Sequence, residues 1–138
     1  MRLRSVYDCG AYGVAFLYDL LKERTPEQSI SHKELPLWYD HRRFVENKPY
    51  LRWYLIEVDH AFVGSIYLSK QSEVGLFILK AHQGKSYGRT ALKMLREKHP
   101  GRLLVNIAFN NLKSVAFFHR EGFTPLQLTF EANDAEPH

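Results

Sequence analysis

One run, His82-Gln83-Gly84-Lys85-Ser86-Tyr87-Gly88-Arg89, concentrates glycine, cationic and hydroxyl-bearing residues within eight positions. The apolar stretch Val74 to Leu79 precedes it and reads as a buried strand, while Thr90 to Glu97 follows with helical spacing. A tight, glycine-containing turn from strand to helix leaves several backbone N–H groups unpaired at the positive end of the helix dipole, which makes an anion site. Lys85 and Arg89 add full charges there, so a phosphorylated ligand is the expected occupant. Two familiar phosphate motifs do not fit. A Walker A loop needs a glycine five residues before its Gly-Lys pair, and that position is Leu79. A dinucleotide fingerprint needs G-x-G-x-x-G and an acid beyond the next strand, and Leu103 to Phe109 carries none.

The elements that must position this turn follow from periodicity and punctuation. Leu3 to Tyr7 reads as a strand, and Tyr12 to Lys22 has helical spacing through Val14, Ala15, Leu17, Tyr18 and Leu21. Thr25-Pro26-Glu27-Gln28 breaks that helix, and Pro36 to Glu46 reads as a second one. Arg52 to Val58 and Ala61 to Lys70 form a hairpin about Asp59-His60, followed by a strand over Ser72 to Leu79. The helix after the turn runs to Lys98, where His99-Pro100-Gly101 stops it. Leu103 to Ala108 is predicted as a strand, Asn111 to Arg120 as a helix and Phe123 to Phe130 as a closing strand. With 138 residues and 45% hydrophobic content, one domain over residues 1–131 is expected, with a disordered polar tail at 132–138.

Composition narrows the function less than the motifs do. No apolar run approaches the roughly 18 residues of a membrane span and no signal peptide is visible, so a cytoplasmic protein without membrane contact is expected. Cys9 is the only cysteine, which excludes an intrachain disulfide and a cysteine-based metal cluster; no metal is expected. The net charge of +4 is read as basic groups gathered for an anionic cofactor rather than for nucleic acid.

A second segment gives the turn its meaning. In Asn111-Leu112-Lys113-Ser114-Val115-Ala116-Phe117-Phe118-His119-Arg120-Glu121-Gly122-Phe123, Asn111 is a good N-cap and Gly122 suits the residue past the helix end. Together with Gln83-Gly84-Lys85-Ser86-Tyr87-Gly88, one predicted strand upstream, it resembles the GNAT superfamily of acyl-CoA-dependent N-acyltransferases over roughly residues 50 to 130. There the pyrophosphate loop reads Gln or Arg, two residues, Gly, one residue, Gly or Ala. Ser86 replaces the first diagnostic glycine.

The resemblance implies an α/β (α+β) fold with a mixed, mostly antiparallel central sheet of about six to seven strands, splayed between strands 4 and 5 and flanked by about four helices. It implies acetyl-CoA as co-substrate, with Leu76, Phe77 and Ile78 bonding the pantetheine arm through their backbone like an added strand. Gln83, Gly84, Lys85, Ser86, Tyr87, Gly88 and Arg89 would hold the pyrophosphate, and Asn111 and Phe118 would contact the cofactor. A backbone N–H near Ile78 is the implied oxyanion donor. Acyl transfer to an amine also needs a base, for which Glu73 at the strand opening is the candidate; otherwise it is a solvated strand-end carboxylate. His82 borders the same cleft and is the second candidate, histidine being the residue type suited to proton transfer, with an exposed loop histidine as the plain alternative. Many relatives carry a tyrosine that protonates the leaving thiolate seven residues after the helix-opening Asn, and here that position is Phe118.

Acceptor choice is expected from Ile30 to Phe44 with Tyr50, Trp53 and Tyr54, an aromatic and basic set interspersed with His32, Asp40, His41 and Glu46. The aromatics either form a platform for a sugar or nucleotide, or pack a helix onto the sheet. The expected activity is N-acetyl transfer to a primary amine (an amino-sugar nucleotide, a protein N-terminus or a small amine) by a monomer or homodimer. The alternative is a non-catalytic acyl-CoA-binding or regulatory domain, and a basic nucleic-acid-binding protein is a distant third.

Overall fold

The computed structural model describes residues 1–24 and 34–134. Its elements are β1 (Arg2–Ser5), α1 (Gly10–Glu23), α2 (Trp38–Glu46), β2 (Arg52–Val58), β3 (Ala61–Leu68), β4 (Val74–Ile78), α3 (Tyr87–Lys98) and α4 (Leu112–Arg120). The four strands make one antiparallel sheet in the order β1-β2-β3-β4. The β2–β3 turn places Asp59 and His60 at φ 49° and 65°, the double positive φ that lets a two-residue turn follow strand twist.

Alternation of side chains sends each strand into two cores. Ile56, Val63, Ile66, Leu68 and Val74 pack with Ala91, Leu92 and Leu95 of α3 and Phe118 of α4. On the opposite face Trp53 and Leu55 pack with Val6, with Leu17 and Leu20 of α1 and with Val45 of α2. Burial of Gly13, Leu17 and Leu20 follows the i, i+4, i+7 stripe of a helix lying on a sheet. Gly13 is needed where it is, because a Cβ there would stand 3.0 Å from the Val6 carbonyl oxygen. The sheet is therefore covered on both sides, and β4 lies at its edge between two cores.

The expected six to seven strands are four among the described residues. Leu103 to Ala108 makes only a single parallel bridge, between Glu73 and Leu104, and forms no ladder. Its side chains still alternate: Leu103, Val105 and Ile107 pack against the α3-side core. The chain is extended there and then parts from β4, so pattern is present and pairing is not. Phe123 to Phe130 forms no strand either, and leaves Leu126, Leu128 and Phe130 65%, 81% and 88% exposed. Period-two patterning records a segment's capacity to pair, whereas a strand exists only where a neighbour supplies partners. The break at Thr25–Gln28 and the segment Ile30–Lys33 lie outside the described residues. Of the predicted tail, residues 132–134 have no regular structure and 135–138 lie outside the description.

Candidate active site

The two edges of β4 are not equivalent. Leu79 N–H donates to Val63 O at 2.9 Å and Ser69 N–H to Glu73 O at 2.8 Å, so odd-numbered residues of this strand bond to β3. Val74 N–H instead donates to Leu104 O at 2.8 Å, on the opposite edge. Ladder alternation then turns the backbone groups of Leu76 and Ile78 to that same edge, beyond the single bridge. The Ile78 carbonyl accepts from Gln83 Nε2 at 3.1 Å; no described residue pairs with Ile78 N–H or with either group of Leu76. Of the three predicted backbone contacts, Leu76 and Ile78 thus face the open edge. Phe77 is committed to Ser65 in the ladder, and its side chain belongs to the α1 side.

A short 3-10 turn, Lys80–His82, carries this edge into the loop that starts α3. Gly84 has φ 79° and Ser86 has φ 64°, both left-handed. Ser86 thus occupies the conformation for which glycine is favoured, and its side chain makes no capping bond. Among the described residues, no acceptor pairs with the N–H groups of Gly84, Lys85, Ser86, Tyr87, Gly88 or Arg89; the first helical donor is Thr90, to Ser86 O at 3.1 Å. Lys113 Nζ lies 3.2 Å from Gln83 Oε1 and brings a further cation to the turn. Arg89 pairs with Glu121 at 3.6 Å while remaining largely exposed, so it is tethered across to the end of α4. Arg89, Leu92, Lys93, Arg96 and Glu97 of α3, with Glu121 at the end of α4, line a shallow groove of about 420 Å³.

Gly88 sits where this turn meets the open edge. A Cβ on it would lie 3.4 Å from Leu76 Cδ2 and 3.8 Å from both Ile78 Cγ1 and Phe117 Cζ. The ring facing this junction is therefore Phe117. Phe118, expected at the cofactor, is 7% exposed and packed against Phe117 and Phe123 in the core. Asn111 caps α4, its side chain accepting from Ser114 N–H at 3.3 Å. An open strand edge running straight into six free amide donors and the Lys85 charge suits a ligand with an amide-bearing arm and a diphosphate.

At the other end of β4, Glu73 is held between two side chains. Asn106 Nδ2 donates to its Oε2 and Ser69 Oγ to its Oε1 at 3.4 Å. Beside it Tyr67 lies across Gly75, where any side chain would collide with the ring. Tyr50 stacks on Tyr67 at 3.8 Å, and Arg24 lays its guanidinium 3.5 Å over the Phe77 ring. Burial raises the pKa of both tyrosine hydroxyls, and the Arg24 charge opposes the rise. Glu73 and Tyr67 are brought together, and His82 is not: the five residues of β4, roughly 17 Å of extended chain, lie between Glu73 and the turn that carries His82. His82 stands by Tyr87 at the turn, ring centroids 6.4 Å apart.

Sequence reasoning missed Asn106, Ser69, Tyr67 and Arg24. Asn106 had a signal, being the polar residue between Val105 and Ile107 on an alternating stretch; Gly75 inside a strand signalled a close approach. The expected acceptor aromatics divide. Phe44, Tyr50 and Trp53 form one cluster with rings 4.7–6.1 Å apart, and Trp38 packs on Tyr18 at 5.3 Å. Tyr39 is 64% exposed, and Tyr54 lies on the α3 face with its hydroxyl 3.1 Å from His99 Nε2. His41 is buried, donating from Nε2 to Val14 O at 2.9 Å, and burial lowers its pKa.

The family model for the acetyltransferase (GNAT) family matches residues 14–123. No curated protein sequence matches the chain. Solved structures do. A spermidine N-acetyltransferase chimera from Vibrio cholerae and hSSAT superposes with a TM-score of 0.71 at 17% identity, over 92% of this chain and 84% of that one. The ribosomal-protein-alanine N-acetyltransferase of Brucella melitensis gives 0.64 at 20% identity, over 88% and 83%. A putative acetyltransferase from Salmonella typhimurium, with its cofactor acetyl-CoA, gives 0.64 at 19% identity, over 89% and 78%. At these identities the superpositions establish the shared fold.

Proposed function

The chain belongs to the acetyltransferase (GNAT) family, whose co-substrate is acetyl-CoA, and on that premise we propose that it acetylates a primary amine by direct attack in a ternary complex. The observation that carries this reading is the continuity of the open β4 edge with the free N–H groups of Gly84 to Arg89. Leu76 and Ile78 hold the pantetheine arm by backbone hydrogen bonds, and the turn with Lys85 and Arg89 holds the pyrophosphate. Gln83 fixes the junction through the Ile78 carbonyl. Acetyl-CoA supplies the acetyl group as an activated thioester. Glu73, oriented by Asn106 and Ser69, takes the proton from the acceptor ammonium, and a β4 N–H donates to the developing oxyanion. In this reading His82, beside Tyr87 at the turn, stands at the pyrophosphate end of β4, and Glu73 rather than His82 is assigned the proton transfer.

The acceptor classes are an amino-sugar nucleotide, a protein N-terminus or a small amine; one structural neighbour is named for spermidine and another for a ribosomal protein's alanine. We further propose a single domain over residues 1–131, a cytoplasmic site of action, and a monomer or homodimer. A second reading, a domain that binds acyl-CoA without turning it over, is favoured by the rings of α4: Phe117, which faces the junction, and Phe118, which lies in the core, have no proton for a leaving thiolate. Calorimetry with acetyl-CoA tests both readings, and absence of saturable binding rejects both. Release of free thiol with sugar nucleotides, peptides and polyamines separates them, since silence across all three with intact binding favours the second.

A further inference from the structure

The α1 side of the sheet holds a cation that no described partner neutralises. Arg24 follows α1, with its guanidinium over Phe77 and within electrostatic reach of the Tyr67 and Tyr50 hydroxyls. Among the described residues no carboxylate pairs with it. Neighbouring Glu23 is engaged elsewhere, accepting Lys80 N–H at 2.8 Å. Arg24 Nε is buried without an acceptor, and so is Nε1 of Trp53. Trp53 is 92% buried by the complement of its 8% exposure, and its ring meets the same tyrosines, at 4.7 Å from Tyr50 and 6.3 Å from Tyr67.

Two orphaned donors, one a permanent cation, therefore surround one stacked tyrosine pair. A partly buried guanidinium whose Nε is out of contact with water is unfavourable without counter-charge, and its contact with an aromatic face offsets only part of that. An anionic oxygen is the acceptor that each of these donors lacks, and both donors flank the same tyrosine pair. The location gives such an anion a purpose. Phe77, beneath Arg24, belongs to β4, and Tyr67 lies between the Arg24 cluster and Glu73, whose charge acts on its hydroxyl.

We propose that Arg24 and the Trp53 indole form an anion subsite of the acceptor pocket, so that the acceptor is a primary amine that also bears a phosphate or carboxylate. The amine is presented at Glu73 while the anion is held at Arg24, on the other side of Tyr67. The catalytic meaning of the subsite rests on acetyl transfer at the β4 edge; its existence as an anion site does not. A cation with no partner among the described residues also disfavours a polyamine, whose own charges it repels.

The test uses the full chain labelled with nitrogen-15, in a Trp38→Phe background that leaves Trp53 as the single indole signal. The probes are glucosamine 6-phosphate against glucosamine, β-alanine against its amide, and spermidine. At least one anionic probe should shift the Trp53 indole N–H saturably, with its neutral partner and spermidine silent, and the responding pair tells phosphate from carboxylate. Arg24→Met should abolish the shift, with folding checked by its thermal transition. In thiol release the anionic member of the responding pair should exceed its neutral partner about tenfold in kcat/KM, and Arg24→Met should bring the two within about twofold. No shift with any anionic probe, or a shift that survives Arg24→Met, overturns the subsite. A specific shift without acetyl transfer to any amine would refute the transferase reading and leave the subsite standing; transfer with neither shift nor anion preference would do the reverse.

Discussion

Gly88 separates folding from cofactor binding more cleanly than any other position. Its φ is not left-handed, and it lies in the first turn of α3, so alanine fits the backbone. The added Cβ meets Leu76, Ile78 and Phe117 at 3.4–3.8 Å, ordinary contact distances that require no movement. Glycine in a helix is worth up to about 1 kcal/mol less than alanine, and a first-turn position should yield roughly half of that. With an unfolding entropy near 0.3 kcal/mol/K for a chain of this size, Gly88→Ala should raise Tm by roughly 2 °C. The same methyl, however, fills the junction between the turn and the open β4 edge, where the proposed path of the co-substrate's arm runs. We expect CoA affinity to fall about tenfold for Gly88→Ala and about a hundredfold for Gly88→Val, or about 1.4 and 2.7 kcal/mol. Thermal denaturation followed by circular dichroism and titration calorimetry with CoA read the two effects separately. A folded Gly88→Val that binds CoA as tightly as the parent would refute the placement of the arm.

Three further expectations follow from particular groups. Ser86→Gly should stabilise by roughly 0.5–1 kcal/mol, because the left-handed strain is relieved and no capping bond is lost; a lower Tm would show that the hydroxyl has a role the fold does not reveal. Glu73→Gln should lower kcat by about a hundredfold near neutral pH, with the deficit shrinking as pH rises and the acceptor amine loses its proton unaided; a parallel pH–rate profile would reject Glu73 as base. His41 has a folded pKa lowered chiefly by burial, against the opposing hydrogen bond to Val14 O. The unfolded chain therefore binds the extra proton first, so stability should fall as pH drops below about 6.5, with a slope of at most about 1.4 kcal/mol per pH unit. Guanidinium unfolding at pH 7.5 and 5.5 measures this, and His41→Gln, which keeps a donor for Val14, should flatten the dependence.

The features legible in the chain order are local ones. Apolar spacing set α1, α2 and α3, Asp59-His60 set the β2–β3 hairpin, and the glycines with Ser86 set the turn that exposes amide donors at the start of α3. Asn111 was identifiable as a cap because capping is decided within four residues. These features depend on neighbours in the chain, and so they are written in its order. Tertiary structure alone decided the rest. Whether Leu103 to Ala108 becomes a strand depends on how far β4 stays beside it, and the chains part after Leu104. Which backbone groups of Leu76, Phe77 and Ile78 are free depends on the register with β3, which only packing fixes. Phe117 rather than Phe118 reaches Gly88 because of the rotation of α4 on the core. Arg24, Tyr67 and Glu73 are scattered along the chain and share a cluster only because the sheet stacks their strands and α1 ends above Phe77. Pairing and burial are properties of what a segment meets, and no local pattern encodes the identity of a distant neighbour.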